Sequence, residues 1–583
     1  MSLEADSLDK VKEKYTEIRR LLDEECKNDP PSHPYKSKYE ARKLLQELDS
    51  DLNINKINDA DLTVLLLSLI NYDLGIIAID TDEIFEGEEC FKKCLEYIKD
   101  NDCSPKYCIL CMKALNQLGI LWSGRNELKK ACEYLKKAEN IYKQYLAENP
   151  SVIPIDAVQL FLNNSNNEQG SVIFEKVYTH TLYYLAQVYK NLEENETAAL
   201  YCFNTLQRQL ETDDYDPIEW SLNSATLSQY YFASDNLSAS RHFLACAEYI
   251  LSIFEKKVES KGEKNEEQWD KIKHCKASIA RCWINYGLFI FTISEQEVLL
   301  RAAKKDGDNF KEENEKRHLS DPINEDQYVL IDSPEVKKIE QNITNQYILN
   351  FEKARIVFHS VQNWLKVAKD YFTLDGHTTD YVQLTQDSSR LYKLLAFFES
   401  NADRQCKMHK RRIDLLEEIL QQLNPQFYLL ICRQLMFELA ETYSEIMDIK
   451  LSIMKNDESR QSSSHAIKKV NALIFKAVHY FEKFIDTLKE NNKLPEKFAE
   501  DVVRPALVAH FCIGRLYSKL FAEPQKQLEN IMITEKYYKY VINYIKKHPS
   551  QENSIKEELP LIKEMVELIP GKIKTISRGS LVL

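Results

Sequence analysis

A spaced pattern of apolar and small residues recurs four times in the first half of the chain. In each copy, apolar residues at helical spacing lead to a small residue and a large one, and a second run of small, bulky and small residues follows. The clearest copy is Leu115, Leu118, Gly119, Trp122, Ala131, Leu135 and Ala138. The other copies are Leu182, Leu185, Ala186, Tyr189, Ala198, Cys202 and Thr205; Ser224, Leu227, Ser228, Tyr231, Ser240, Leu244 and Ala247; and the degenerate Leu74, Gly75, Ala78, Gly87, Phe91 and Cys94. Each copy predicts two helices joined by a turn, helix A and helix B.

This pattern is the signature of tetratricopeptide repeats. The small residues let helix A and helix B of one unit approach closely, and the large residues fill the gap to the next unit. Because one unit cannot bury its apolar face alone, such units stack into a solenoid with a concave groove. We therefore predict an all-α fold, a right-handed tetratricopeptide-like α-solenoid that binds proteins and is not an enzyme.

Changes along the chain divide the predicted solenoid into two halves. We predict a helical hairpin over residues 1–50, a first solenoid half over 51–300, a charged linker over 301–345 and a second, tetratricopeptide-like half over 346–583. The linker is predicted because the composition shifts to mixed charge after Arg301. Weaker copies of the pattern are Trp283, Tyr286, Gly287 and Ile290; Met436, Leu439, Ala440 and Tyr443 with Ala477, Phe481 and Phe484; and His510, Ile513, Gly514 and Tyr517 with Thr534, Tyr538 and Val541.

The composition agrees with a helical, acidic protein. Among 583 residues there are only 12 glycines and 16 prolines, which disfavours a β-rich fold. The net charge of −14 disfavours a nucleic-acid partner and suits a basic protein partner. The 14 cysteines follow no secreted-type framework, and the acidic N-terminus lacks the apolar core of a signal peptide. We therefore expect a cytoplasmic protein with free thiols.

One apolar stretch, residues 62–79, has the length of a membrane span. Asp73 lies near its centre, and an aspartate in the middle of a bilayer is costly. We therefore expect a buried helix A here, and no direct membrane insertion.

A cluster of cysteines raises the question of a metal site. Cys108 and Cys111 have a zinc-like spacing, and Cys90, Cys94 and Cys103 precede them. No histidine lies near them in sequence, and Cys94 occupies a small-residue position of the repeat. Buried free cysteine behaves as a small apolar residue, so we expect packing and predict no metal site.

Other catalytic signatures are missing from the sequence. It has no glycine-rich phosphate loop, no nucleophile elbow and no H-E-x-x-H motif, so we predict no catalytic residues and no cofactor. The most concentrated basic run is residues 407–412. It is either a nuclear-localisation signal or anion-binding patch, or a helix face that pairs with acidic residues. We favour the acidic pairing, because helical geometry spreads these charges around the helix.

Several runs are too specific to be repeat consensus. They are PYKSKY at 34–39, LGILWS at 118–123, FEKVYTHTLYYLAQVY at 174–189, PIEW at 217–220, LLAFFE at 394–399, CKMHKRR at 406–412, LNPQFYLL at 423–430 and EDVVRPA at 500–506. In these runs the chain resembles the KIF-binding protein family, also called the kinesin-binding proteins, over essentially its whole length. The resemblance implies a binder of the motor domains of a subset of kinesins, which blocks their attachment to microtubules and acts in axon growth and microtubule organisation.

The expected contacts lie on helix A faces, which line the concave surface of a tetratricopeptide array. The candidate kinesin-binding residues are Tyr183, Tyr184, Gln187, Gln209, Thr226 and Gln229. The resemblance places the kinesin groove in the first half, and Tyr184, Gln187, Gln209 and Thr226 match family positions. A tyrosine at helical spacing is as well explained by the core, whereas a glutamine inside a repeat has no packing reason to be there.

Two other functions remain open at this point. The first is an adaptor that tethers a kinesin to cargo such as mitochondria without inhibiting motility. The second is a co-chaperone groove for C-terminal carboxylates, which would need Lys, Arg and Asn on the helix A faces. We expect a monomer when unbound, cytoplasmic and associated with the cytoskeleton.

Overall fold

The computed structural model describes residues 2–54, 60–99, 101–162, 167–262, 265–306, 328–456 and 464–577. Over these residues the chain is helical, and its one extended pairing is a single bridge between Glu490 and Lys493. Consecutive helices pack as pairs, and neighbouring pairs pack on one another, which is the arrangement of an α-solenoid. The predicted all-α solenoid is therefore confirmed.

The chain forms two compact units, and the first contains residues up to Lys261 together with a short segment that ends at Ser333. Its helices are α1 Ser2–Asp23, α2 Lys36–Ile54, α3 Ala60–Asp80, α4 Ile84–Ile98, α5 Cys108–Gly124, α6 Leu128–Glu148, α7 Ala157–Phe161, α8 Asn167–Asn191, α9 Asn195–Thr212, α10 Pro217–Ala233 and α11 Leu237–Lys261. A 3-10 turn, Glu25–Asn28, joins α1 to α2.

The four predicted repeats are the pairs α3/α4, α5/α6, α8/α9 and α10/α11. The small residue of helix A lies against the bulky residue of helix B in each of the two glycine-bearing pairs. A Cβ added to Gly119 would lie 2.6 Å from Leu135 Cγ, and one added to Gly75 would lie 2.6 Å from Phe91 Cε1. These positions are small because a larger side chain would separate the two helices.

The turn between helix A and helix B is the same in all four repeats. Seven residues after the small position, the backbone enters the left-handed region at Asp82, Asn126, Glu193 and Asp235, with φ between 58° and 65°. The next residue donates its backbone N–H to a carbonyl in the last turn of helix A, as in Glu127 N to Trp122 O at 2.9 Å. This is the helix-ending bond of a Schellman motif, and it reverses the chain into helix B.

The apolar helix α3 is long and apolar enough to cross a membrane, and most of it is buried inside the first unit. Leu65, Leu66, Leu69 and Ile70 are fully buried in the core of that unit. Asp73 is also buried and pairs with Tyr15 and Arg19 of α1. The structure thus packs this segment as a core helix A, as its central aspartate predicts.

The second unit runs from Gly262, apart from the segment that belongs to the first. Its helices are α12 Glu266–Asp306, α13 Pro334–Glu340, α14 Phe351–Tyr371, α15 Thr378–Phe398, α16 Ala402–Gln422, α17 Leu429–Asn456, α18 Ser464–Asp486, α19 Glu500–Ser518, α20 Pro524–Lys547 and α21 Leu559–Ser577. A 3-10 segment, Pro549–Ile555, separates α20 from α21.

The weaker predicted repeats are pairs of the second unit. Helix α17 packs against α18, and α19 packs against α20, as the patterns predict. A Cβ on Gly514 would lie 2.6 Å from Tyr538 Cε1. The fifth repeat begins on α12 and finds its helix B only at α14, where the rings of Trp283 and Trp364 stack at 4.9 Å.

The pair α15/α16 has no counterpart in the sequence pattern, and it includes a buried polar contact. Arg412 is only 2% exposed, and its Nε donates a hydrogen bond of 3.2 Å to Ser389 Oγ on α15. The guanidinium also pairs with Glu445 on α17. Within the basic run 407–412, Arg412 and His409 are thus buried between helices, and Lys410 pairs with Asp414 at 2.9 Å.

The predicted division at 300 and the linker at 301–345 remain predictions. Residues 307–327, nearly half of that linker, lie outside the described residues. In the units as described, α12 belongs to the second one and residues 328–333 pack on the first. The predicted first hairpin is α1 with α2, and α2 continues to Ile54.

Candidate functional site

The candidate site is the helix A face formed by α8 and α10 in the first unit. Helix α10 begins at Pro217, and the side chain of Asp216 caps it by accepting the Glu219 N–H at 2.8 Å. Trp220 anchors the start of α10 on α9, because its Nε1 donates a 3.1 Å hydrogen bond to Leu206 O. One side of each helix is buried in the first unit, and polar residues on the other side, Gln187 of α8 and Thr226 of α10, are exposed.

Three of the candidate residues lie on α8. Tyr183 and Tyr184 are half-buried with their rings edge to face at 5.3 Å, and Gln187 is exposed. Burial, followed by the carboxylate of Glu219, raises the pKa of Tyr183, whereas a hydrogen bond with Gln187 acts in the opposite direction. The structure therefore brings Tyr183, Gln187 and Glu219 together, and Glu219 was not among the predicted contacts.

Tyr184 is half-buried, and the sequence allowed either a core role or a contact role for it. It packs at the edge of the core of the first unit. Burial, and then the neighbouring Tyr183, raises its pKa. The half that remains outside is available to a partner, so core and contact roles are compatible in this residue.

Two further candidates lie on α10. Thr226 is exposed, and its Oγ1 donates to Leu222 O at 2.9 Å, which leaves the oxygen lone pairs outward. Gln229 is half-buried, and its Nε2 donates to Ser228 Oγ at 3.0 Å. Both side chains use a donor within the helix, and each has acceptor capacity left for a partner's N–H groups.

Gln209 lies on helix B of the same repeat as Tyr183. It is half-buried, and its Oε1 is a buried acceptor with no hydrogen-bond partner among the described residues. A buried amide oxygen without a partner costs about 1–3 kcal/mol. Such an atom is a natural acceptor for a donor that arrives with a ligand.

One contact beside this site comes from the predicted linker. Tyr328 packs edge to face on Tyr231 of α10 at 5.0 Å and on Phe203 of α9 at 6.4 Å. The Leu330 N–H donates to His242 Nε2 on α11 at 3.0 Å. The apolar run from Tyr328 to Ile331 inside a charged region was the sequence signal for this docking.

The arrangement offers hydrogen-bond acceptors, aromatic edges and a carboxylate, which suit recognition of a basic polar surface. Among the described residues, no group of three or more His, Cys, Asp and Glu side chains is placed to hold a metal ion. Cys94, Cys108 and Cys111 are buried, and burial raises the pKa of the Cys108 thiol to about 12, as for packing residues. None of the six candidates is a lysine, an arginine or an asparagine, the residues that a groove for C-terminal carboxylates would need.

Comparison with known proteins decides the family. Residues 218–576 match the family model described as KIF-1 binding protein C terminal. The chain belongs to the KIF-binding protein family. The KIF-binding protein of Gallus gallus is 41% identical over 582 residues, with 97% of each chain covered. That of Homo sapiens is 38% identical over 617 residues, again with 97% of each chain covered.

A solved structure of the KIF-binding protein family supports the same assignment. It is described as a cryo-EM map of KIFBP, is 34% identical, and superposes with a TM-score of 0.66. The match covers 94% of this chain and 96% of that one. The family resemblance seen in the sequence is therefore confirmed over both units.

Proposed function

We propose that this chain binds the motor domains of a subset of kinesins through the helix A face of its first unit and blocks their attachment to microtubules. The observation that carries the proposal is its membership of the KIF-binding protein family over nearly its full length. Blocking would regulate microtubule-based transport, the organisation of axonal microtubules and axon outgrowth.

Electrostatics supports competition with the microtubule. Tubulin is acidic, so the surface with which a motor domain contacts it is basic. This chain carries a net charge of −14, and Glu219 stands beside Tyr183 on the candidate face. An acidic scaffold can therefore attract the same surface that the microtubule attracts.

The helix A face also suits the shape of such a partner. The exposed Gln187 and Thr226 belong to successive helix A elements, α8 and α10. A helix of the motor domain laid across them would follow the helix-in-groove mode of recognition. The mechanism is occlusion by a bound scaffold, without catalysis or a cofactor, by a monomer in the cytoplasm and on the cytoskeleton.

The test is co-sedimentation of a purified kinesin motor domain with microtubules while this protein is titrated in. Under the proposal, the motor leaves the pellet and a soluble complex of the two proteins forms. A ternary complex in the pellet would instead establish an adaptor that leaves the microtubule-binding face of the motor free, and would overturn the blocking mechanism. A motor domain that pellets as before, with no complex in the supernatant, would overturn the proposed binding itself.

A further inference from the structure

The outer face of α18, in the second unit, combines an exposed aromatic ring with positive charge. Phe475 is 52% exposed, although it lies in the middle of a helix whose opposite side is buried in the core. Lys468 lies two turns before it on the same stripe, and His479 lies one turn after it. Lys469 and Lys476 flank this stripe and are exposed.

In the part of the chain that the structure describes, these lysines have no acidic partner. Lys468, Lys469 and Lys476 form no ion pair with any described residue. Some other exposed lysines of the second unit pair with carboxylates, as Lys539 does with Glu535 at 2.7 Å. Burial, and then Lys483 and Lys476, lowers the pKa of His479, which agrees with a locally positive potential.

The same face borders a cleft between α18 and the start of α20. The cleft has a volume of about 640 Å³, and Phe475, Phe521 and Lys526 are among the residues that line it. Its floor is held in place by Asn471, whose Nδ2 donates to Phe521 O at 2.7 Å and whose Oδ1 accepts from Phe521 N at 3.1 Å. The charged residues of its lining are Lys526, Glu523 and Glu529, and Lys468, Lys469 and Lys476 lie on the α18 face outside that lining.

We propose that the α18 face and its cleft bind an acidic peptide segment of a partner protein, with one apolar side chain inserted beside Phe475. The unpaired lysines supply the charge complementarity, and the cleft supplies a pocket that a flat surface would lack. This site lies in the second unit and is separate from the helix A face proposed for motor domains. The outcome of a peptide-binding test at this site therefore does not bear on the proposed motor binding.

The experiment uses the full chain and a fluorescein-labelled poly-glutamate peptide with one central phenylalanine, followed by fluorescence anisotropy. We expect saturable binding that weakens with salt, and roughly a 10-fold loss of affinity in Lys476→Glu combined with Lys526→Glu. Phe475→Ser should lower the affinity for the phenylalanine-containing peptide to the affinity for an all-glutamate peptide. These side chains are exposed, so the variants should fold as the parent does.

Matched controls come from α21 of the same unit. Lys572→Glu changes an exposed lysine that has no ion pair with a described residue, and Leu568→Ser removes a side chain that is 48% exposed. Both should bind the peptide as the parent does. Equal losses in the control variants, or no peptide binding at all, would overturn the proposal. Binding to vesicles with anionic phospholipid, without peptide binding, would assign the face to a membrane surface and overturn it as well.

Discussion

The hydroxyl of Tyr15 donates a hydrogen bond of 2.7 Å to Asp73 Oδ2, and this buried contact ties α1 to the core helix α3. Burial is the main cause that raises the pKa of Asp73, and the nearby Arg19 guanidinium lowers it. The carboxylate is thus held in the interior by partners from the first helix of the chain. The N-terminal hairpin is therefore a structural cap on the repeats, since it covers a polar group that α3 would otherwise bury alone.

Replacing Tyr15 by phenylalanine tests this contact. Tyr15→Phe leaves the Asp73 carboxylate with the Arg19 guanidinium at 3.4 Å, and should destabilise the first unit by about 1–2 kcal/mol. The measurement is the urea midpoint followed by circular dichroism. Tyr39→Phe, at a ring that is 47% exposed, is the control and should leave the midpoint in place. Equal midpoints for both variants would show that the hydrogen bond contributes nothing.

The helix A–helix B contact predicts opposite outcomes at two glycines of α5. Gly119→Ala places a Cβ 2.6 Å from Leu135 Cγ, and the resulting overpacking should cost about 1–3 kcal/mol. Gly124→Ala meets nothing within 4 Å and should be neutral, or stabilising by up to about 1 kcal/mol through helix propensity. The measurement is thermal unfolding of the two variants and the parent under the same conditions. A Gly119→Ala protein as stable as the Gly124→Ala protein would contradict close packing at this position.

The candidate motor-binding face predicts a loss of affinity without a loss of fold. Gln187→Ala combined with Thr226→Ala removes two exposed polar groups and should weaken binding of a kinesin motor domain roughly 10-fold. The control is Gln207→Ala combined with Thr212→Ala, two exposed residues of α9 outside the predicted contacts. Binding is measured by titration of a labelled motor domain, and circular dichroism monitors the fold. A folded double variant with the affinity of the parent would remove these residues from the site.

Buried histidine predicts a loss of stability in acid. Burial lowers the pKa of His510 to about 4, and the ring stacks on Tyr540 at 4.2 Å. The unfolded chain has a histidine pKa of about 6.5, so it binds the proton more tightly than the folded protein does. The contribution of His510 is therefore fully present above pH ~6.5 and is lost as the pH falls towards ~4, by up to about 3 kcal/mol.

The test compares the unfolding midpoint of the parent and of His510→Phe between neutral pH and pH ~5. Phenylalanine keeps the stacking on Tyr540 but cannot titrate, so the variant should lose less stability on acidification. Part of the slope should remain, because burial also lowers the pKa of His409 to about 4. His465→Phe, at an exposed position, should keep the slope of the parent. Identical slopes for His510→Phe and the parent would contradict the lowered pKa.

The repeats of the first unit were predictable because their contacts are local in sequence. Gly75 meets Phe91 and Gly119 meets Leu135 across a short turn, so one spacing of small and large residues is visible in each copy. The fifth pair was only half predictable. Its helix A is visible at Trp283, but its partner Trp364 follows a long intervening stretch, and periodicity carries no information about such a separation.

The candidate site was likewise only partly predictable from the sequence. Helical spacing identifies Gln187 and Thr226 as outward residues of helix A, because a polar side chain that recurs on one face needs no tertiary information to be placed. It could not show that Glu219 comes close to Tyr183, since that proximity depends on how α10 is anchored on α9 through Trp220. It also could not show that Gln209 Oε1 is buried with no hydrogen-bond partner among the described residues.

By itself, the sequence determined the helical class, the A–B repeats of the first unit and the family, because each depends on short-range spacing or on literal runs of residues. The tertiary structure alone decided which charges are buried and which are outward. Arg412 is the clearest case: within one basic run it is enclosed between α15, α16 and α17, while Lys410 stays exposed beside Asp414. Burial of a charge depends on partners that are distant in sequence, such as Glu445, and only packing brings those partners together.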